Sequence, residues 1–163
     1  MVANTPFLKK QTFPTFPADK YKCRVTKIEL TERVPFQAPE GTPKEPAIRF
    51  YFDAVDVDAK SKTEIPIIID GKPVDFRSLT GVDYGGETST NAVTKIVDGI
   101  VGRHLTDTEL ENLNFSNLEN QSVYVMVTLE PKKTGGMINK VVSVTRVDGI
   151  PMTTEQLTAS TPA

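Results

Sequence analysis

The chain has 163 residues, of which 38% are hydrophobic, with a formal net charge of −2 and a single cysteine. That length suits one domain with a real core and an appended arm or tail. The charge excludes a uniformly basic surface, and the lone Cys23 excludes an internal disulfide. Charge is nonetheless segregated. Residues 1–50 carry nine Lys and Arg against five acids, whereas residues 51–100 carry five against nine, which permits a local basic patch on an acidic protein. No apolar run has the length of a membrane span, and the first residues lack the apolar stretch of a signal peptide. A cytoplasmic protein with no membrane contact is expected. The glycosylation-like triplets at Asn114 and Asn120 then carry no meaning.

Residues 1–19 contain Pro6, Phe13-Pro14 and Phe16-Pro17 without periodicity, which predicts an extended arm rather than a helix. Phe7, Phe13 and Phe16 could fill a groove of this molecule or of a neighbour, the latter making a homo-oligomer. The domain proper is expected over 20–148. Tyr21–Leu30 reads as a strand in which Cys23 and Val25 share one face while Ile28 and Leu30 have the opposite parity. A bulge near Thr26-Lys27 would bring both pairs to the core. A long loop with Pro35, Pro39, Pro43 and Pro46 follows.

Ala47–Val57 alternates, with Ile48, Phe50, Phe52 and Ala54 facing inward and Arg49, Tyr51 and Asp53 outward. Ile65–Ile69 and Lys72–Phe76 flank Asp70-Gly71, a hairpin signal. Thr80–Thr88 reads as a loop. A helix starts near Ser89 or Thr90, carries Ala92, Val93, Ile96, Val97, Ile100 and Val101 at helical spacing, and stops at Gly102. Gly99 weakens it by up to about 1 kcal/mol. A second, shorter helix starts at Thr106, with Glu109 completing a capping box, and buries Leu110 and Leu113.

Ser122–Val147 is the most regular stretch. Val123, Val125, Val127 and Leu129 alternate with Tyr124, Met126 and Thr128, Gly135-Gly136 turn the chain, and a second Val-rich strand returns. Residues 149–163 are rich in Thr, Ser and Pro and read as a flexible tail. The expected core is Cys23, Val25, Ile48, Phe50, Phe52, Val93, Ile96, Val97, Val123, Val125 and Val127. Three strands with a hairpin extension, helices, then two strands is the order of the OB-fold, a five-stranded Greek-key barrel; an unrelated α+β sheet is the competitor.

No catalytic constellation stands out. His104 has no nucleophile motif around it and reads as a surface or cap residue. Asp53, Asp56 and Asp58 do not match a calcium loop, and Gly81–Gly86 lacks the lysine of a phosphate loop. A non-catalytic protein with no metal and no cofactor is expected. Basic and aromatic residues do interleave, in Lys20-Tyr21-Lys22-Cys23-Arg24 and in Arg49-Phe50-Tyr51-Phe52. That pairing suits single-stranded nucleic acid, where cations track the backbone and rings stack on bases. Ordinary solvated strand faces explain the same pattern.

Three segments carry a resemblance: PADKYKCRVTKIEL, EPAIRFYFDAVD and GRHLTDTELENLNFSNLENQSVYVMVTLEPKKTGGMINKVVSVTRV. Together, over roughly residues 17–147, they resemble phage-encoded OB-fold single-stranded DNA-binding proteins. Two features depart from that pattern: Glu119-Asn120-Gln121 stands where a glycine-lysine step is usual, and the tail lacks an acidic tip. The resemblance implies sequence-tolerant binding of single-stranded DNA in phage replication or recombination, inside the host cytoplasm. On a barrel, Arg24, Arg49, Tyr51 and Tyr124 would form one outer platform, and Lys22 is expected to contact the DNA as well. Arg33 and Phe36 lie on one bordering loop, Lys132 and Lys133 on the other, and Lys140 follows on the last strand. The rival from another class is a structural or adaptor protein of a phage particle that uses the barrel for protein contacts.

Overall fold

The structure, a computed structural model, describes residues 15–35, 38–132 and 135–160. It is mainly β. The strands are β1 (Asp19–Arg33), β2 (Glu45–Val57), β3 (Glu64–Pro66), β4 (Ile68–Ile69), β5 (Lys72–Pro73), β6 (Asp75–Thr80), β7 (Ser122–Pro131) and β8 (Met137–Arg146). The helices are α1 (Ala92–Val101), α2 (Asp107–Glu111) and α3 (Thr154–Thr158), with a 3-10 turn over Phe115–Leu118.

β1 is the middle of an antiparallel sheet of order β3-β2-β1-β7-β8. β6 joins the same edge of β2 as β3, pairing along Ile48–Asp53 while β3 pairs along Val55–Val57. β4 and β5 form the small hairpin at Asp70-Gly71, both with positive φ (52° and 76°), the geometry of a type I′ turn. Phe76 is not on that return arm. Its strand, β6, separates after Pro73 and lies along β2 instead. Among the described residues no ladder joins β6 to β8, so no closed barrel is made.

The expected bulge sits between Val25 and Lys27, where the β1–β2 register shifts. It brings Ile28 against the core, but Leu30, two residues further on, stays 70% exposed. All eleven expected core residues are buried. Phe50 and Phe52 stack with ring centroids 6.4 Å apart, and neither is exposed at all.

α1 covers the sheet at β8. Asn91, one or two residues later than predicted, caps its start by accepting from Thr94 N at 3.0 Å, and Gly102 ends it at φ 88°. Gly99 is there for close approach: a Cβ built on it would stand 1.9 Å from the carbonyl oxygen of Val144. α2 has the predicted capping box, but its buried residue is Glu109 rather than Leu110, which is 39% exposed.

The tail expectation is corrected. Met152 and Leu157 are buried, Thr153 and Gln156 form a second capping box, and Asn117 Nδ2 donates to the Leu157 carbonyl at 3.0 Å. Burial of those two side chains orders residues that their polar neighbours alone would leave free. At the other end Phe16 is buried against Phe76 of the same molecule; Phe7 and Phe13 lie outside the described residues. Among the described residues no helix is long and apolar enough to cross a membrane.

Candidate nucleic-acid interface

Burial of Ile48, Phe50, Phe52 and Ala54 forces Arg49, Tyr51 and Asp53 to the other face of β2. Pairing then chooses their neighbours. Tyr51 lies opposite Lys27 on β1 and Arg77 on β6, and Arg49 opposite Glu29 and Leu79. The Tyr51 ring has the Lys27 ammonium 5.6 Å and the Arg77 guanidinium 5.1 Å from its centroid, distances at which a cation is attracted to an aromatic face. Its hydroxyl donates to Glu29 at 3.3 Å. Lys27 hydrogen-bonds Glu29 and holds that carboxyl below its usual range.

Beside this row opens a cleft of about 410 Å³ between β6 and the β7–β8 hairpin. Arg49, Arg77 and Lys132 line it together with the apolar Met137 and Ile138, and among the described residues Asp75 is its one acid. Asp75 faces Asp53 across the β2–β6 pair. Burial, then the charge of Asp75, raises the Asp53 carboxyl, and Arg77 opposes that rise. An arrangement of three cations over an apolar floor suits an anionic chain whose other side is hydrophobic.

Of the residues predicted to bind, Arg49, Tyr51 and Lys132 are thus gathered in one region. The single platform is not made as expected. Lys22 and Tyr124 pair with each other on β1 and β7, five positions along β1 from Lys27 and across the bulge. Lys20 covers the Tyr124 ring at 4.5 Å. Arg24 lies between the two regions, and its guanidinium is held by both carboxylate oxygens of Glu64 and by the Asn120 carbonyl. Arg33 Nε donates to Glu45 at 2.9 Å. Lys140 is exposed on β8 opposite Thr128. Phe36 and Lys133 lie outside the described residues.

Sequence reasoning missed three arrangements. Arg77 enters the cleft although the charge pattern does not single it out; its position six residues past the Asp70-Gly71 turn, with Phe76 inward, is the available signal. His104 is not a simple cap. Its Nδ1 lies 2.8 Å from Asp98 and 2.9 Å from the Tyr84 hydroxyl, its ring stacks on Tyr84 at 4.8 Å, and Tyr84 also bonds Asp98. Burial and the Asp98 bond raise the Tyr84 phenol. This cluster fastens the loop after β6 to α1, and Leu105 N donates to the same hydroxyl at 2.9 Å.

Arg103 grips the buried Glu109 through two bonds of 2.7 and 2.5 Å, while Thr154 donates to Glu109 at 2.7 Å and Arg103 Nε to the Met152 carbonyl at 3.1 Å. Chiefly through the Arg103 bond, the Glu109 carboxyl is held far below the usual carboxylate range. This clasp anchors the C-terminal segment. Burial pushes the Cys23 thiol up to about 12, with the Asp53 charge adding to it, so Cys23 is no nucleophile.

Asp53, Asp56 and Asp58 do not converge: among the described residues no group of three or more His, Cys, Asp or Glu is placed to hold a metal ion. No family model matches the chain, and neither a curated protein nor a solved structure matches it.

Proposed function

We propose that this protein binds single-stranded DNA without sequence preference and without catalysis, as expected of a phage replication or recombination protein. The observation that carries the reading is the convergence of Arg49, Arg77 and Lys132 on one cleft beside the cation-flanked Tyr51 ring. Cations of this kind follow phosphates, and an exposed ring edge or face offers any base a stacking partner. The strand pairs β1–β2, β1–β7, β2–β6 and β7–β8, with α1 between β6 and β7, support reading the sheet as an OB-fold. In that reading the cleft lies where such barrels receive oligonucleotides, between a strand face and the last hairpin.

The test is a titration of the full chain with a 30-mer of mixed sequence at several salt concentrations. Binding at micromolar protein that weakens linearly on a log–log salt plot is the expected result. No complex at low salt and tens of micromolar protein overturns it. The adaptor reading then takes over, favoured by the exposed Met126, Ile138 and Val142 on the β7–β8 hairpin.

A further inference from the structure

The segment before β1 contains a tandem repeat: residues 12–17 read Thr-Phe-Pro-Thr-Phe-Pro. Its second copy is seated in the seam between β6 and β8. Phe16 is 3% exposed and meets Phe76 edge-on, with centroids 6.0 Å apart and planes at 87°. Asn139 on β8 grips the Phe16 backbone from both sides, accepting from its N–H at 2.7 Å and donating to its carbonyl at 2.7 Å. Tyr21, packed on Phe76 at 5.1 Å, donates its hydroxyl to the Pro17 carbonyl at 2.7 Å.

The slot therefore recognises one phenyl ring and three main-chain groups. None of these distinguishes Phe16-Pro17 from Phe13-Pro14. Each phenylalanine follows a threonine and precedes a proline, and the proline biases it toward the same extended backbone. We propose that the seam is a receptor slot for a Thr-Phe-Pro tripeptide, with Thr12-Phe13-Pro14 as its second ligand in the same chain, so that the segment is a two-position latch.

Phe16 holds the slot in the structure. A slip of three residues seats Phe13 and loops out Thr15–Pro17, which adds slack rather than strain before Asp19. Closure cost grows slowly with loop length, so the second position is disfavoured only modestly. Thr15 also lines the cationic cleft, and the slip sets a three-residue loop at that lip. The latch does not depend on what the cleft binds.

The experiment compares thermal unfolding of the full chain with that of F13A, F16A and F13A/F16A. F13A should unfold at the temperature of the parent, and F16A only a few degrees lower, because Phe13 replaces Phe16. The double variant should fall by roughly 10 °C, as a deleted buried phenylalanine does in a chain of this size. A loss in F16A as large as in the double variant overturns the proposal.

The side-chain amide signals of Asn139 keep the question answerable if the double variant does not fold. They should stay at their parent shifts in F16A, and a move to the shifts of a solvent-exposed asparagine overturns the latch. A dimer of F16A that the parent does not form, seen in sedimentation, means that the slot takes Phe13 from a second copy and overturns the in-chain slip.

Discussion

Arg24 and Arg49 stand on the same outward face of neighbouring strands, yet they are differently placed to act. Arg24 is fastened to Glu64 and to a backbone carbonyl. Among the described residues Arg49 has only a 3.8 Å approach to Glu29, and it opens on the cleft with Arg77 and Lys132. The difference arises from an acid 40 residues away in sequence from Arg24, which β3 carries to the far end of β2. A half-exposed ion pair of this kind contributes at most about 1 kcal/mol to stability. It nevertheless decides where a guanidinium points, and so which cations a ligand can use.

The largest effect is expected where the core beneath both arginines is opened. Phe50 lies between Arg49 and Tyr51 on β2 and is fully buried, so Phe50→Ala should lower the free energy of unfolding by about 3–5 kcal/mol in chemical denaturation. A loss within about 0.5 kcal/mol, as at exposed positions, would place Phe50 outside the core.

The Arg103–Glu109 pair differs from Arg24–Glu64 in that its carboxylate is buried while its guanidinium stays partly exposed. Glu109→Gln should cost about 2 kcal/mol at neutral pH, the scale of a hydrogen bond to a charged group, whereas Glu64→Gln should cost within about 1 kcal/mol. The folded Glu109 carboxyl is depressed, so its contribution is complete above its unfolded value of about 4.3 and is lost as pH falls through the folded one. Unfolding followed against pH should show an acid limb that Glu109→Gln flattens.

Binding separates the two tyrosines. Tyr51→Ala should weaken the complex with single-stranded DNA by about 1–3 kcal/mol, and Tyr124→Ala, beyond the bulge, by clearly less in the same titration. The smallest effect is in the salt dependence. Arg77→Ala and Lys132→Ala should each flatten the log–log slope by about 0.7, while Arg24→Ala leaves it in place. Glu64→Gln, by releasing Arg24, should steepen it; an unchanged slope would show that Arg24 has no phosphate in reach.

What was legible in the sequence is what neighbours decide. The alternation of Ile48 to Ala54, the bulge at Thr26-Lys27, the Asp70-Gly71 turn and the Thr106–Glu109 capping box each depend on residues within a few positions. The Glu64 partner of Arg24, the seat of Phe16 and the entry of Arg77 into the cleft depend on strands that meet across 40 to 120 residues. The tail was misread because Thr, Ser and Pro dominate its composition. Thr153 with Gln156 three residues on, followed by Leu157, was a helix start written in the same code as Thr106–Glu109.

The position of β1 has a consequence for how the chain reaches this state. Cys23–Arg33 pairs on one side with β2, and Asp19–Arg24 pairs on the other with Ser122–Val127 of β7. The β2 partner follows within a few tens of residues, but the β7 partner comes about a hundred residues later. As the chain leaves the ribosome, β1 and β2 can form a hairpin while one flank of β1, with Cys23 and Val25 beside it, waits without its neighbour. Such an open edge is a template for a wrong strand, and ladders between distant segments form slowly. Lys20, Lys22 and Arg24 alternate along that waiting edge, so nascent chains meeting there would repel one another until β7 arrives.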